Sequence, residues 1–197
     1  MPLSDPALRE RLHTRRIVCE GFLRSDGRFD IEAHLVDTKA YPFENDERGT
    51  IAPGEPLHEM WLRLTLDDAM EVRAVEAVTD AGPFTVCGDI TPAFQRLEGL
   101  KIGPGWRGRV NELLGGVKGC THLVELLGPM ATVAFQTIWS RKAREKRGDG
   151  AGHIPARKPG YIDGCHALAS DGPIVRDHHP RWYTGPDPVE KRDGKAT

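Results

Sequence analysis

Between Phe29 and Val36 the chain reads Phe29-Asp30-Ile31-Glu32-Ala33-His34-Leu35-Val36. Phe29, Ile31, Ala33 and Leu35 fall on one side, and Asp30, Glu32 and His34 on the other. Period-two alternation is the signature of a strand with one buried face. The same reading extends in both directions. Upstream, Arg16-Ile17-Val18-Cys19-Glu20-Gly21-Phe22-Leu23 is a strand pattern, and Ser25-Asp26-Gly27 has the chemistry of a hairpin turn. Downstream, Tyr41 to Pro56 reads as a loop, broken by Asn45-Asp46, Gly49, Pro53-Gly54 and Pro56. Met60 to Leu66 alternates again, Asp67-Asp68 turns, and Val72 to Val78 returns before Gly82-Pro83. Four strands with short or polar connections predict an antiparallel meander.

After residue 90 the period changes. Thr91-Pro92 reads as a helix start, with Phe94 and Leu97 as its apolar side. Trp106, Val110, Leu113 and Leu114 share a helical face that ends at Gly115-Gly116. Leu123, Leu126, Leu127, Met130, Ala134, Ile138 and Trp139 recur at three and four, with Gly128-Pro129 expected to kink or split the run. The charged run Arg141 to Arg147 suits a helix C-terminus. The fold class is therefore α+β, an antiparallel sheet packed by helices on one side. Residues 1–147 form the domain. Residues 148–197 read as an extended tail packing on it through Tyr161, Ile174-Val175 and Trp182, with its last ten or so residues disordered.

The chain has 197 residues and a net charge of −2, so no global basic field points to nucleic acid. No apolar run reaches membrane-spanning length, and the polar N-terminus lacks the apolar centre of a signal peptide. The expected setting is the cytoplasm, where four cysteines are free thiols, ligands or nucleophiles and not a disulfide framework. No phosphate-cradling loop, dinucleotide fingerprint or nucleophile elbow is present in the sequence.

The chemistry-bearing residues gather at joins. Cys120, in Gly119-Cys120-Thr121-His122-Leu123, stands at a helix start, where orphan N–H groups favour a thiolate. Cys87 follows a strand in Cys87-Gly88-Asp89, and His58 opens another strand. Two thiolates and an imidazole suit zinc or iron. The expected metal ligands are thus His58, Cys87 and Cys120. His122 is a substrate-facing or supporting residue, and Asp89 is a proton-transfer residue or a helix cap. Cys165 or His166 could add a fourth ligand from the tail. A rival set is Asp30, Glu32 and His34, with Asp37 nearby, although a solvated sheet face explains that alternation by itself. Glu55 and Glu59 flank His58 as surface residues.

Two resemblances attach to these residues. Arg24-Ser25-Asp26-Gly27, the run from Asp30 through Leu35, Asp37-Thr38-Lys39, Pro53-Gly54-Glu55-Pro56-Leu57-His58 and Gly119-Cys120-Thr121-His122-Leu123 resemble a bacterial family of uncharacterised proteins, a domain of unknown function, over about residues 15 to 140. That resemblance implies no activity. The order of strands, a cysteine, helices, and then Val117-Lys118-Gly119-Cys120 opening a long helix is similar to IscU/NifU-type iron–sulfur scaffold proteins. On that likeness Cys87 and Cys120 match the second and third cluster cysteines, and His58 falls near the loop aspartate. The first cysteine is absent, with Pro56 about where it would stand, which leaves a three-ligand pocket of an open type.

The leading functional expectation is a metal-binding protein, an enzyme using a Cys/His-bound zinc or iron as Lewis acid on a small-molecule substrate. The alternatives are a non-catalytic metal or iron–sulfur handling module, and a metal-free enzyme with Cys120 as nucleophile and His122 as base. The substrate pocket is expected between the Asp30–Asp37 strand, the Cys87–Asp89 turn and the start of the Cys120 helix, partly covered by the tail.

Overall fold

A computed structural model describes residues 3–148 and 157–186. The chain divides into two compact units, Met1–Glu145 and Lys146–Thr197. The first holds a four-stranded antiparallel sheet in the order β1-β2-β5-β6, built from β1 (His13–Leu23), β2 (Phe29–Lys39), β5 (Pro56–Leu66) and β6 (Val72–Ala81). The expected meander is present. The stretch read as a loop between Tyr41 and Pro56 carries a small hairpin of its own, β3 (Phe43–Asn45) and β4 (Gly49–Ile51). Its turn is closed by Asn45 Oδ1, which accepts from the N–H groups of Glu47 and Arg48.

Alternation sorts the sheet into two faces. Phe29, Ile31, Ala33 and Leu35 of β2 meet Met60, Leu62, Leu64 and Leu66 of β5 on the buried face. Helices supply the opposite wall of this core. Phe94 and Leu97 come from a 3₁₀ helix at Thr91–Leu97, and Trp106, Val110 and Leu114 from α1 (Trp106–Leu114). Leu123, Leu126, Leu127, Met130, Ala134 and Ile138 come from α2 (Thr121–Gly148). The Thr91 segment is 3₁₀ and not α, and its N-cap is Ile90; the Thr91 hydroxyl bonds the Gly88 carbonyl instead.

Gly128-Pro129 does not split α2, which runs through both residues. Proline removes one N–H donor. Six buried apolar side chains on either side of it hold the helix to the sheet and outweigh that loss. Trp106 Nε1 ties α1 to α2 by donating to the Leu127 carbonyl at 3.1 Å. Among the described residues, no helix is long and apolar enough to cross a membrane.

The second unit holds α3 (Pro173–His178) and 3₁₀ turns at His166–Leu168 and Pro180–Trp182. It is thus more helical than the extended tail expected, because Pro173 and Pro180 sit at helix starts, where their fixed φ is already helical. Asp163, at φ 63°, accepts from Lys158 Nζ and from the Ser170 N–H. These bonds, the lysine's first, hold its carboxyl down to about 2. The chain end expected to be disordered falls at residues 187–197, outside the described residues.

The core predicts a graded response to truncation. Leu126→Ala, at a position with no solvent exposure, should cost about 2–5 kcal/mol in urea unfolding. Val117→Ala, on an exposed turn, should stay within about 0.5 kcal/mol. Equal midpoints for the two variants would show that α2 does not close this core.

Candidate metal centre

The inward alternation of β2 does not stop at Leu35. The next residue in that series is Asp37, whose side chain is 1% exposed. Strand register places it opposite Arg15 of β1 and His58 of β5. Directly paired residues on one face lie within side-chain reach, so the three form a polar row across the sheet. The adjacent row, one step further in, is Ile17, Leu35 and Met60. The sheet's apolar face thus ends in a line of charge and imidazole.

Arg15 grips Asp37 with a two-point fork, Nε to Oδ1 at 2.8 Å and Nη2 to Oδ2 at 2.7 Å. His13 Nε2 approaches Oδ1 at 3.3 Å, and His58 Nδ1 approaches Oδ2 at 3.0 Å. Burial, the largest single influence, favours the neutral acid. The Arg15 hydrogen bonds and charge, with His58 and His13, outweigh it and hold the carboxyl below its ordinary value. Arg15 also pairs with Glu125 of α2, which locks strand to helix.

The helix supplies the rest. Gly119 is required where the chain turns into α2, because a Cβ there would strike the Leu114 carbonyl. The Cys120 carbonyl accepts the first helical bond, from Val124 N–H at 2.9 Å, so Cys120 caps the helix and His122 lies in its first turn. The His122 ring lies over His58, with centroids 3.9 Å apart and planes tilted by 35°. Cys120 Sγ is 3.9 Å from His122 Nδ1 and 3.9 Å from Met60 Sδ.

Ligand atoms of Asp37, His58 and His122 all lie within 4.8 Å of one another. His58 Nδ1 is buried, and its ring plane does not aim it at Asp37 Oδ2 despite the short distance. Asp37 raises the basicity of His58 through charge and hydrogen bonding, although the Nδ1 geometry is not well aligned. Adjacent ligands on one ion with bonds of about 2.1 Å stand about 3.0 Å apart at octahedral and about 3.4 Å at tetrahedral angles, against 3.0 Å for these two atoms.

Both imidazoles are held below their ordinary value of 6.5. Burial is the main cause for each. The His122 and Arg15 charges lower His58 further against Asp37, and Arg15 lowers His122 against Asp37 and Glu125. Neutral imidazole is the form that binds a metal.

The expected ligand His58 is therefore at this centre, but with Asp37 and His122 as neighbours. Cys120 adjoins the group through His122 without being one of the three. Cys87 lies in the 3₁₀ turn Thr85–Gly88, folded against Gly82, and is not among the converging groups. Asp89 is exposed and follows that turn. Cys165 and His166 belong to the second unit, where Cys165 is exposed.

Asp30, Glu32 and His34 occupy the other sheet face, each with its own partner. Asp30 accepts from Thr65, Glu32 pairs with Arg63, and His34 pairs with Glu59 and stacks on Trp61. Arg15 and Asp37 were legible in principle, because each extends its strand's inward series by one step. A groove of about 470 Å³ lies between α1 and α2, lined by Trp106, Arg107, Val110, Glu125, Gly128 and Pro129 among others.

The sequence profile of a family described as protein of unknown function (DUF2889) matches residues 13–136, and the chain belongs to that family. No curated protein and no solved structure matches the chain.

The lowered histidines predict a pH dependence. Unfolding returns each to the ordinary 6.5, so the unfolded chain binds more protons just below that value, and stability falls as pH drops. Asp37 has the opposite resting charge but the same sign. Its contribution is complete above 3.8 and is lost as pH falls through its lowered value. The melting temperature should drop between about pH 7 and about pH 5. It should drop less in a His58→Gln, His122→Gln double variant. Identical slopes in the two proteins would count against the pair's burial as neutral rings.

Proposed function

We propose that this member of a family of unknown function is a metal-dependent protein. In this reading Asp37, His58 and His122 hold one transition-metal ion, zinc or iron, which acts as a Lewis acid on a small molecule. The observation that carries the reading is the convergence of the three ligand atoms within 4.8 Å at the end of an otherwise apolar face. The lowered basicity that burial gives both imidazoles supports it, since neutral imidazole is the form that binds a metal.

Two imidazoles and a carboxylate suit non-haem iron, and three protein ligands on zinc leave a position open for substrate. A bound ion would polarise a substrate oxygen or acidify a bound water. The protein's own part is positional. Arg15 keeps the Asp37 carboxylate ionised and aimed, and Glu125 balances the arginine's charge. The α1–α2 groove is lined by Glu125, the residue that pairs with Arg15, and by none of the three proposed ligands.

One observation favours a second reading, a non-catalytic module that carries metal or iron–sulfur species. Cys120 stands at the start of the long helix, 3.9 Å from His122 Nδ1, in the element order that resembles IscU/NifU-type scaffolds. Such a module would pass its metal to an acceptor protein without turning over a substrate.

Elemental analysis of protein purified without chelator tests both readings. About one zinc or iron per chain is expected. His58→Ala and His122→Ala should each weaken binding by at least about tenfold. Cys19→Ser, half-buried in mid-β1 against the core, should bind as wild type. Cys87→Ser separates this ligand set from the one expected on spacing, and should also bind as wild type. Metal-free wild-type protein that takes up neither zinc nor iron would end the proposal.

A further inference from the structure

We infer that the sulfur side of this cluster is a site for a thiophilic monovalent cation, copper(I), bound by Cys120 Sγ, Met60 Sδ and His122 Nδ1. The inference extends the metal-binding reading and rests on it only for His122 as a ligand. Asp37 and His58 have no part in it.

Three observations carry the assignment. The first is distance. Cys120 Sγ lies 3.9 Å from Met60 Sδ and 3.9 Å from His122 Nδ1. Three ligands in a trigonal plane with metal–sulfur bonds of about 2.3 Å place two sulfurs about 4.0 Å apart. The two sulfurs already stand at that spacing, joined only by a weak hydrogen bond from the Cys120 thiol to the Met60 thioether, which a metal ion would replace.

The second is donor chemistry. A thiol, a thioether and an imidazole are the soft set that selects copper(I) over harder divalent ions. The third is charge and burial. Met60 has no solvent exposure and lies in the row just inside His58, among Leu35 and Ile17. A monovalent ion with one thiolate is a neutral unit, which apolar surroundings tolerate far better than a net charge. A divalent ion suits the other side, where Asp37 is charged. A buried methionine is ordinarily a gap-filler. Here its sulfur faces the cysteine that caps α2, and residues 60 apart in sequence meet there.

The experiment uses the full chain, freed of metal and handled without oxygen, with copper(I) shared against a copper(I)-specific chelator. Zinc affinity is measured in parallel, and far-UV circular dichroism checks each variant's fold. Met60→Leu conserves volume and removes only the sulfur. It should weaken copper(I) by about tenfold or more and leave zinc binding unchanged. Cys120→Ser should weaken copper(I) further still. Asp37→Asn should do the reverse, losing zinc and keeping copper(I).

Met60→Leu holding copper(I) as tightly as wild type would overturn the assignment, as would wild type surrendering all its copper(I) to the chelator. Zinc binding that fails while copper(I) still depends on Met60 and Cys120 would sink the Asp37 centre and leave this site standing. Should Met60→Leu not fold, X-ray absorption of copper(I)-loaded wild type decides. Two sulfur scatterers at about 2.3 Å are expected, and one or none refutes the site.

Discussion

A carboxylate with 1% exposure lies at the end of the apolar face, and the surrounding structure is arranged to meet its charge. An ion removed from water must be paired or it neutralises. Asp37 is paired on three sides, by the Arg15 fork, His13 and His58. Because Arg15 also reaches Glu125, the same charge that organises the sheet end fixes where α2 begins. The site and the junction of sheet and helix are therefore one piece of physics.

The adjoining rows explain why a site can exist there. One step inward, Ile17, Leu35 and Met60 are aliphatic and thioether, with Leu35 and Met60 fully buried and Ile17 partly so. One row outward, polar groups take over. Two histidines at this boundary are dry enough to stay neutral and still close enough to solvent to be reached, since both are only partly exposed. The cluster consequently presents oxygen and nitrogen on the Asp37 side and sulfur on the Met60 side, with His122 common to both.

The opposite face of the sheet shows what the same residue types do without burial. His34, Glu59, Glu32 and Arg63 pair with each other in solvent, and Trp61 stacks on His34 at 3.5 Å while its Nε1 bonds Asp80. Aspartate and histidine occur on both faces. On the covered face burial lowers the basicity of His58 and His122 against the opposing pull of Asp37.

Period two in Phe29–Leu35 and period 3.6 in Leu123–Ile138 were sufficient to determine an antiparallel sheet with helices on one side, because burial of one face is a local, periodic demand. The sequence also marked Cys120 as a helix start and His58 as a polar residue near a strand's beginning. The Phe43–Ile51 hairpin was missed because its two strands are three residues each, too short for a period to register. The partnership of Asp37 with Arg15, His58 and His122 was beyond it. Those residues are separated by 22, 21 and 85 positions, and only strand register and the landing point of α2 bring them together. Spacing along the chain weighted Cys87 equally with His58. The tertiary structure brings His58, and not Cys87, beside Asp37 and His122, since neighbours are chosen by which strands hydrogen-bond and in which register, and neither is written in a single segment.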